Sequence, residues 1–217
     1  MEKNNAMDLV FIVDNSGSMS GLENDTVGGF NSTLERLREE EGSALVTTVL
    51  FNTDFKVLHN RVDIKEVAPL TRNDYRTGGG TALLDAIGRT MGKIRDAQEK
   101  ASEDKKPSKA LFVIITDGEE NSSREFSSRM IKERIEHSKE IYGWDFIFIG
   151  ANMDAITEAK NIGIDFDRAV NYVSDRKGTE VAWDSIACAA KHSMCADLFS
   201  MSDVFNESKA KITGKKK

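Results

Sequence analysis

Five oxygen-bearing residues in three short segments carry the chemistry this chain offers. Asp14, Ser16 and Ser18 form an Asp-x-Ser-x-Ser stretch directly after an apolar run at residues 9–13. Thr81 follows the glycines Gly78, Gly79 and Gly80, and Asp117 stands in Thr116-Asp117-Gly118 after a second apolar run at residues 111–115. Carboxylates and hydroxyls are hard oxygen donors, suited to Mg²⁺ or Mn²⁺ rather than zinc. Asp-x-Ser-x-Ser alone is ordinary turn chemistry. Three such segments in order, each at the junction between a strand and a helix, can converge on one point and are far more specific.

Each segment needs a rigid element to hold it. Residues 9–13 are a continuous apolar, β-rich run, the signature of a strand buried on both faces. Val27, Phe30, Leu34 and Leu37 then recur at 3, 4 and 3 residues, one face of a helix. Residues 45–51 and 55–58 flank Asn52-Thr53-Asp54, a loop of hairpin length, so one antiparallel edge strand is expected in an otherwise parallel sheet. Leu84, Ile87, Met91 and Ile94 repeat the helical spacing directly after the glycine loop. Residues 111–115 and 144–149 read as further strands, with Ile131, Ile135 and Tyr142 on the inner face of the helix between them. Residues 154–160 predict a short helix and 169–173 a last strand, while Trp183, Ile186, Ala190, Met194 and Leu198 mark one side of a final helical region.

Strands alternating with helices predict a doubly wound, Rossmann-like three-layer α/β sandwich, its central sheet mostly parallel with one antiparallel edge strand and helices on both faces. Ligands in such folds gather at the carboxyl ends of the strands, where all three polar segments fall. A chain of 217 residues is long enough for one such domain and short for two. The domain is expected over residues 1–205, followed by a polar, basic, disordered tail at 206–217.

Composition narrows the partners. With 30 Lys+Arg against 36 Asp+Glu, a formal charge of −6 and no segregated basic stretch in the body of the chain, no field draws in nucleic acid. The apolar runs are of strand length, far short of the ~20 residues that cross a bilayer, so no membrane partner is expected. Residues 1–7 lead into the first strand with no apolar signal region, which predicts a cytoplasmic protein. Cys188 and Cys195 stand seven apart in a helical pattern, about 10 Å apart along the axis, too far for a disulfide. They read as small hydrophobes of a reducing compartment.

Taken together, Phe11-Ile12-Val13-Asp14-Asn15-Ser16-Gly17-Ser18-Met19, Gly79-Gly80-Thr81-Ala82-Leu83-Leu84-Asp85-Ala86-Ile87 and Ile114-Ile115-Thr116-Asp117-Gly118 resemble the von Willebrand factor type A family, over about residues 6–200. The resemblance implies a metal-ion-dependent adhesion site with all five positions filled. Ser16 and Ser18 would bind the cation through their hydroxyls, Thr81 directly or through water, and Asp14 and Asp117 mainly through water. Gly78, Gly79 and Gly80 would let their loop pass close to the ion. A carboxylate of a partner protein would supply the sixth ligand. The stretch of residues 146–155 looks like the small stand-alone intracellular, bacterial members, which again implies a cytoplasmic setting.

The donor chemistry leads the same way. Neutral hydroxyl and water ligands leave an ion much of its charge and one exchangeable position, so an incoming Asp or Glu gains a strong charge-assisted contact. The leading expectation is therefore a divalent-cation-dependent protein-binding module. The alternative is a metal-assisted hydrolase acting on phosphate esters. Against it, the sequence places no Ser-His or Cys-His arrangement near Asp14, and Ser16 stands where aspartyl phosphotransfer would want a second Asp. Gly78-Gly79-Gly80-Thr81 lacks the Lys of a nucleotide loop. Glu119 and Glu120 read as first-turn acids at a helix N-terminus and Asp85 as a helix-end residue, while Met19 and Phe51 read as core.

Overall fold

A computed structural model describes residues 6–40, 42–102, 106–107, 109–151, 154–195 and 199–214. Six strands, β1 (Met7–Asp14), β2 (Ala44–Phe51), β3 (Phe55–Asp63), β4 (Lys109–Thr116), β5 (Asp145–Ala151) and β6 (Ala169–Tyr172), form one sheet in the order β3-β2-β1-β4-β5-β6. Every pairing is parallel except β2 with β3, the antiparallel edge, joined by the expected loop Asn52-Thr53-Asp54. The helices are α1 (Glu23–Arg38), α2 (Leu83–Lys100), α3 (Ser128–Tyr142), α4 (Ala155–Asn161), α5 (Arg176–Cys195) and α6 (Met201–Thr213). The architecture is the three-layer α/β sandwich that the alternation of strands and helices predicts.

The pleat of β1 divides the core. Leu9, Phe11 and Val13 face a cluster with Phe30 and Leu34 of α1 and Trp183 and Ile186 of α5, while Val10 and Ile12 face Ile87 and Met91 of α2 and Ile131 and Ile135 of α3. Burial on both faces is why β1 shows no polar alternation. Its one charged interior residue, Asp8, is fully buried and held by Arg61 Nε at 2.8 Å and Gln98 Nε2 at 2.7 Å.

The chain leaves β1 for β2 on one side and returns to β4 on the other, so the topological switch lies between β1 and β4. Their register pairs Val13 with Ile115, which sets Asp14 beside Thr116 and Asp117 at the carboxyl end of the sheet. That is where a doubly wound sheet opens a crevice.

The carboxyl-terminal segment departs from expectation. Residues 206–213, read from the sequence as part of a disordered tail, complete α6, in which Met201, Val204 and Ser208 are buried and Phe205 packs on the core. A domain boundary at residue 205 would cut through this helix. Lys211 on its outer side reaches Asp184 of α5 at 3.1 Å. The inward face is short and carries a serine, and the lysines around it hide the helical spacing. Residues 215–217 and Leu198 lie outside the described residues, among which no helix is long and apolar enough to cross a membrane.

Candidate metal centre

Backbone pairing holds the first two segments against each other. Past the end of β1, Asn15 N–H donates to the Phe51 carbonyl at 2.8 Å, Gly78 N–H to the Asn15 carbonyl at 3.0 Å and Gly17 N–H to the Gly79 carbonyl at 3.1 Å. Tyr75, 1% exposed, donates its phenol to the Asp14 carbonyl at 2.5 Å. A single 3₁₀ turn, Gly17–Met19, then carries Ser18 outward while Met19 anchors in the core.

The hydroxyls of Ser16, Ser18 and Thr81 surround one point beside Gly118. A side chain begun at Gly118 would put its first carbon 2.7 Å from Thr81 Oγ1, 3.0 Å from Ser18 Oγ and 3.6 Å from Ser16 Oγ. Ser16 Oγ and Ser18 Oγ are themselves 2.9 Å apart. Ser16 and Thr81 are buried and Ser18 is exposed, so the cluster opens to solvent on the Ser18 side.

The two carboxylates differ in what they have left to offer. Asp14 is fully buried and both its oxygens are engaged, Oδ1 by Ser16 N–H and Oδ2 by the Thr116 hydroxyl, each at 2.6 Å. Burial, with the charge of Asp117 adding to it, pushes the Asp14 pKa up to about 6 against the hydrogen bonds from Thr116 and Ser16. Asp117 accepts from Ser174 Oγ at 3.3 Å through Oδ2, but its Oδ1 is buried with no partner. Burial raises the Asp117 pKa too, opposed by the Ser18 and Ser174 hydroxyls.

A divalent cation fits this set. An orphaned carboxylate oxygen is costly to bury, and a positive charge among the three hydroxyls would satisfy it and hold both acids ionised. All five donors are oxygens, as a hard cation prefers.

Other sequence expectations resolve differently. Glu119 and Glu120 do not stand in the first turn of the following helix, since α3 begins at Ser128. Glu120 instead turns back to the start of α2, accepting from Leu84 N–H at 2.9 Å, and also from Ser122 and Ser123 N–H. Asp85 is a helix-end residue as expected, and it has a further task. It accepts from the backbone N–H groups of Arg124, Glu125 and Phe126, each at 2.9 Å, and so clamps the loop that follows Asp117. In the glycine run, Gly79 is crowded by Thr53 and Gly80 by Ser122, whereas a side chain at Gly78 would meet open space. Sequence reasoning missed Tyr75, Thr116, Asn121 and Ser174 as supports of the centre, and only the Thr beside Asp117 carried a local signal.

A family model described as von Willebrand factor type A domain matches residues 8–181. The solved structures that resemble this chain include the D319A mutant of the PilB minor pilin from Streptococcus sanguinis, at TM-score 0.61 and 12% identity over 87% of this chain and 62% of that one. Proximal thread matrix protein 1 from the mussel byssus, solved with a zinc occupied MIDAS motif, matches at 0.57 and 14% over 85% and 46%. A von Willebrand factor type A structure from Catenulispora acidiphila matches at 0.56 and 16% over 86% and 42%. At these identities the likeness is one of fold, and the chain spans only 42–62% of those chains' lengths. No match was found among curated proteins.

Proposed function

Because this chain belongs to the von Willebrand factor type A domain family, we propose that it is a divalent-cation-dependent protein-binding module whose metal-ion-dependent adhesion site is made by Asp14, Ser16, Ser18, Thr81 and Asp117. The observation that carries the reading is the unpartnered, buried Asp117 Oδ1 next to three hydroxyls crowded around one point. Ser16 and Ser18 hold the cation directly and Thr81 directly or through water. Asp14, with both oxygens already engaged by protein donors, acts from behind them. Bound there, Mg²⁺ or Mn²⁺ supplies an exposed positive charge with an exchangeable position, which the Asp or Glu side chain of a partner protein fills. The zinc named for the mussel protein supports a divalent ion in this fold. The all-oxygen donor set here favours Mg²⁺ or Mn²⁺.

Binding rather than hydrolysis is favoured by what the nearby acids are doing. Glu120 is spent on three backbone N–H groups and Asp14 on Ser16 and Thr116, which leaves neither free to act as a general base. The proposal includes a cytosolic setting, supported by the free thiols of Cys188 and Cys195 on α5.

Thermal unfolding with and without Mn²⁺ or Mg²⁺ tests the site. The wild type is expected to gain stability from the ion, and D117A and S16A to lose most of that gain. Identical responses in all three proteins overturn the reading. Metal-dependent turnover of a phosphoester panel, abolished in D14A, would replace the module with the hydrolase.

A further inference from the structure

Thr81 and Asp117 lie on different loops, yet both serve one point, and the structure shows what ties them. Thr81 N–H donates to Asn121 Oδ1 at 2.9 Å, while the Thr81 carbonyl accepts from Asn121 N–H at 3.1 Å and from Ser122 N–H at 3.2 Å. A backbone N–H can only donate, so the Thr81 contact identifies that atom as the carboxamide oxygen, which also accepts from Ser122 Oγ at 2.7 Å. Both backbone groups of Thr81 are therefore held by a residue four positions beyond Asp117. The contact is close enough that a side chain on Gly80 would strike Ser122 Oγ and lie 2.8 Å from Asn121 Oδ1. The rest of the strap is bolted to α2, with Glu120 accepting from Leu84 N–H, Ser123 Oγ accepting from Asp85 N–H at 3.0 Å and Asp85 accepting from three N–H groups of residues 124–126.

Resting on the metal-site reading above, we infer that Asn121 is a positioning residue: its carboxamide sets the backbone of Thr81 so that the Thr81 hydroxyl meets the same cation as Ser16, Ser18 and Asp117. A hydroxyl aimed by its own backbone is only as well placed as that backbone, and a small cation tolerates little error in donor position. The hydrogen bonds of the Asn121 carboxamide oxygen run to Thr81 N–H and Ser122 Oγ, so the route from Asn121 to the centre is through Thr81. Its own side chain is exposed, and replacing it disturbs no core packing.

Mn²⁺ affinity, read from the electron paramagnetic resonance signal of the free ion, tests this in N121L, with circular dichroism confirming the fold and N121A as a second variant. Removing the acceptor is expected to weaken Mn²⁺ binding by about tenfold or more, as loss of outer partners of metal ligands does. S127A, which removes the N-cap of α3 away from Thr81, controls for lost stability and is expected to bind Mn²⁺ like the wild type. If Asn121 works through Thr81, adding N121L to T81A changes affinity by less than about twofold, a non-additivity that general loosening would not give. Wild-type affinity in N121L and N121A, or an equal loss in the T81A background, overturns the positioning role while leaving the metal site standing. A wild type that takes up no Mn²⁺ overturns the metal site itself and this inference with it.

Discussion

Gly118→Ala separates the metal centre from the fold more cleanly than removal of a ligand does. Gly118 is not among the residues with left-handed backbone, so alanine meets no conformational barrier there. Its methyl would lie 2.7 Å from Thr81 Oγ1 and 3.0 Å from Ser18 Oγ, whereas non-bonded heavy atoms pack best at roughly 3.5 Å. Both obstacles are the ends of side chains, which can turn away, so the metal-free protein should change by only about 1 kcal/mol. The cost of crowding is partly offset by the stiffer unfolded chain. The cation does not have that latitude. Mg²⁺ wants oxygens near 2.0–2.1 Å in almost ideal geometry, and a retreat of about 0.8 Å by Thr81 Oγ1 and about 0.5 Å by Ser18 Oγ is a large fraction of that distance. With Mn²⁺ at about a hundred times the wild-type Kd, the wild type should gain about 2.7 kcal/mol. For a domain of this size that raises Tm by about 5–11 °C. A hundredfold weaker G118A would gain only about 0.4 kcal/mol, or about 1–2 °C. Differential scanning fluorimetry over a Mn²⁺ titration, with chelator as the blank, makes the measurement. A G118A protein that folds and shows the full wild-type shift would refute the claim that the three hydroxyls beside Gly118 form the cation's cradle.

Two further outcomes are expected. Burial holds the Asp14 pKa at about 6, well above its ordinary value. In the metal-free protein its carboxyl therefore takes up a proton as pH falls through 6, and that proton must leave before the cation is held. Mn²⁺ affinity should be flat above about pH 7 and fall by up to tenfold per pH unit below about 6, which isothermal titration at pH 5, 6 and 7.5 checks; affinity unchanged at pH 5 contradicts it. At the other end of β1, D8A strands the Arg61 guanidinium, whose Nη2 is already buried without a partner. Urea unfolding should show a loss of about 3–5 kcal/mol, with the Mn²⁺-induced stabilisation retained in the folded fraction.

The fold was legible wherever a segment's own residues settle its burial. Residues 9–13 are apolar at every position because β1 is covered on both faces, and Leu84, Ile87, Met91 and Ile94 repeat at helical spacing because one face of α2 lies on the sheet. Helix α6 was not legible, because its buried side is only Met201, Val204 and Ser208 with Phe205 beside them, set among lysines and serines. What makes it a helix of the domain is the surface that α5 and β6 present to it, and no local pattern reports a docking surface. The same holds at the candidate centre. Ser174 reaches Asp117 across 57 residues of chain and Asn121 brackets Thr81 across 40. A serine or an asparagine in a polar loop looks alike whether it faces water or a neighbouring carboxylate.

The sequence by itself determined which atoms are on offer: a carboxylate closing β1 with two hydroxyls after it, a threonine between three glycines and α2, and an aspartate after β4, each beside an element whose pattern is plain. It also determined the class of fold, because the alternation of buried strands with amphipathic helices admits few other layer arrangements. Only the tertiary structure decided which of those atoms remain free. Asp14 has both oxygens engaged while Asp117 keeps one orphaned in the interior, and Glu120 is turned to the backbone of α2 rather than to the centre. The reason is that an oxygen's availability to a ligand depends on which donors lie within about 3 Å of it. For residues on separate loops those donors come from segments distant in the chain.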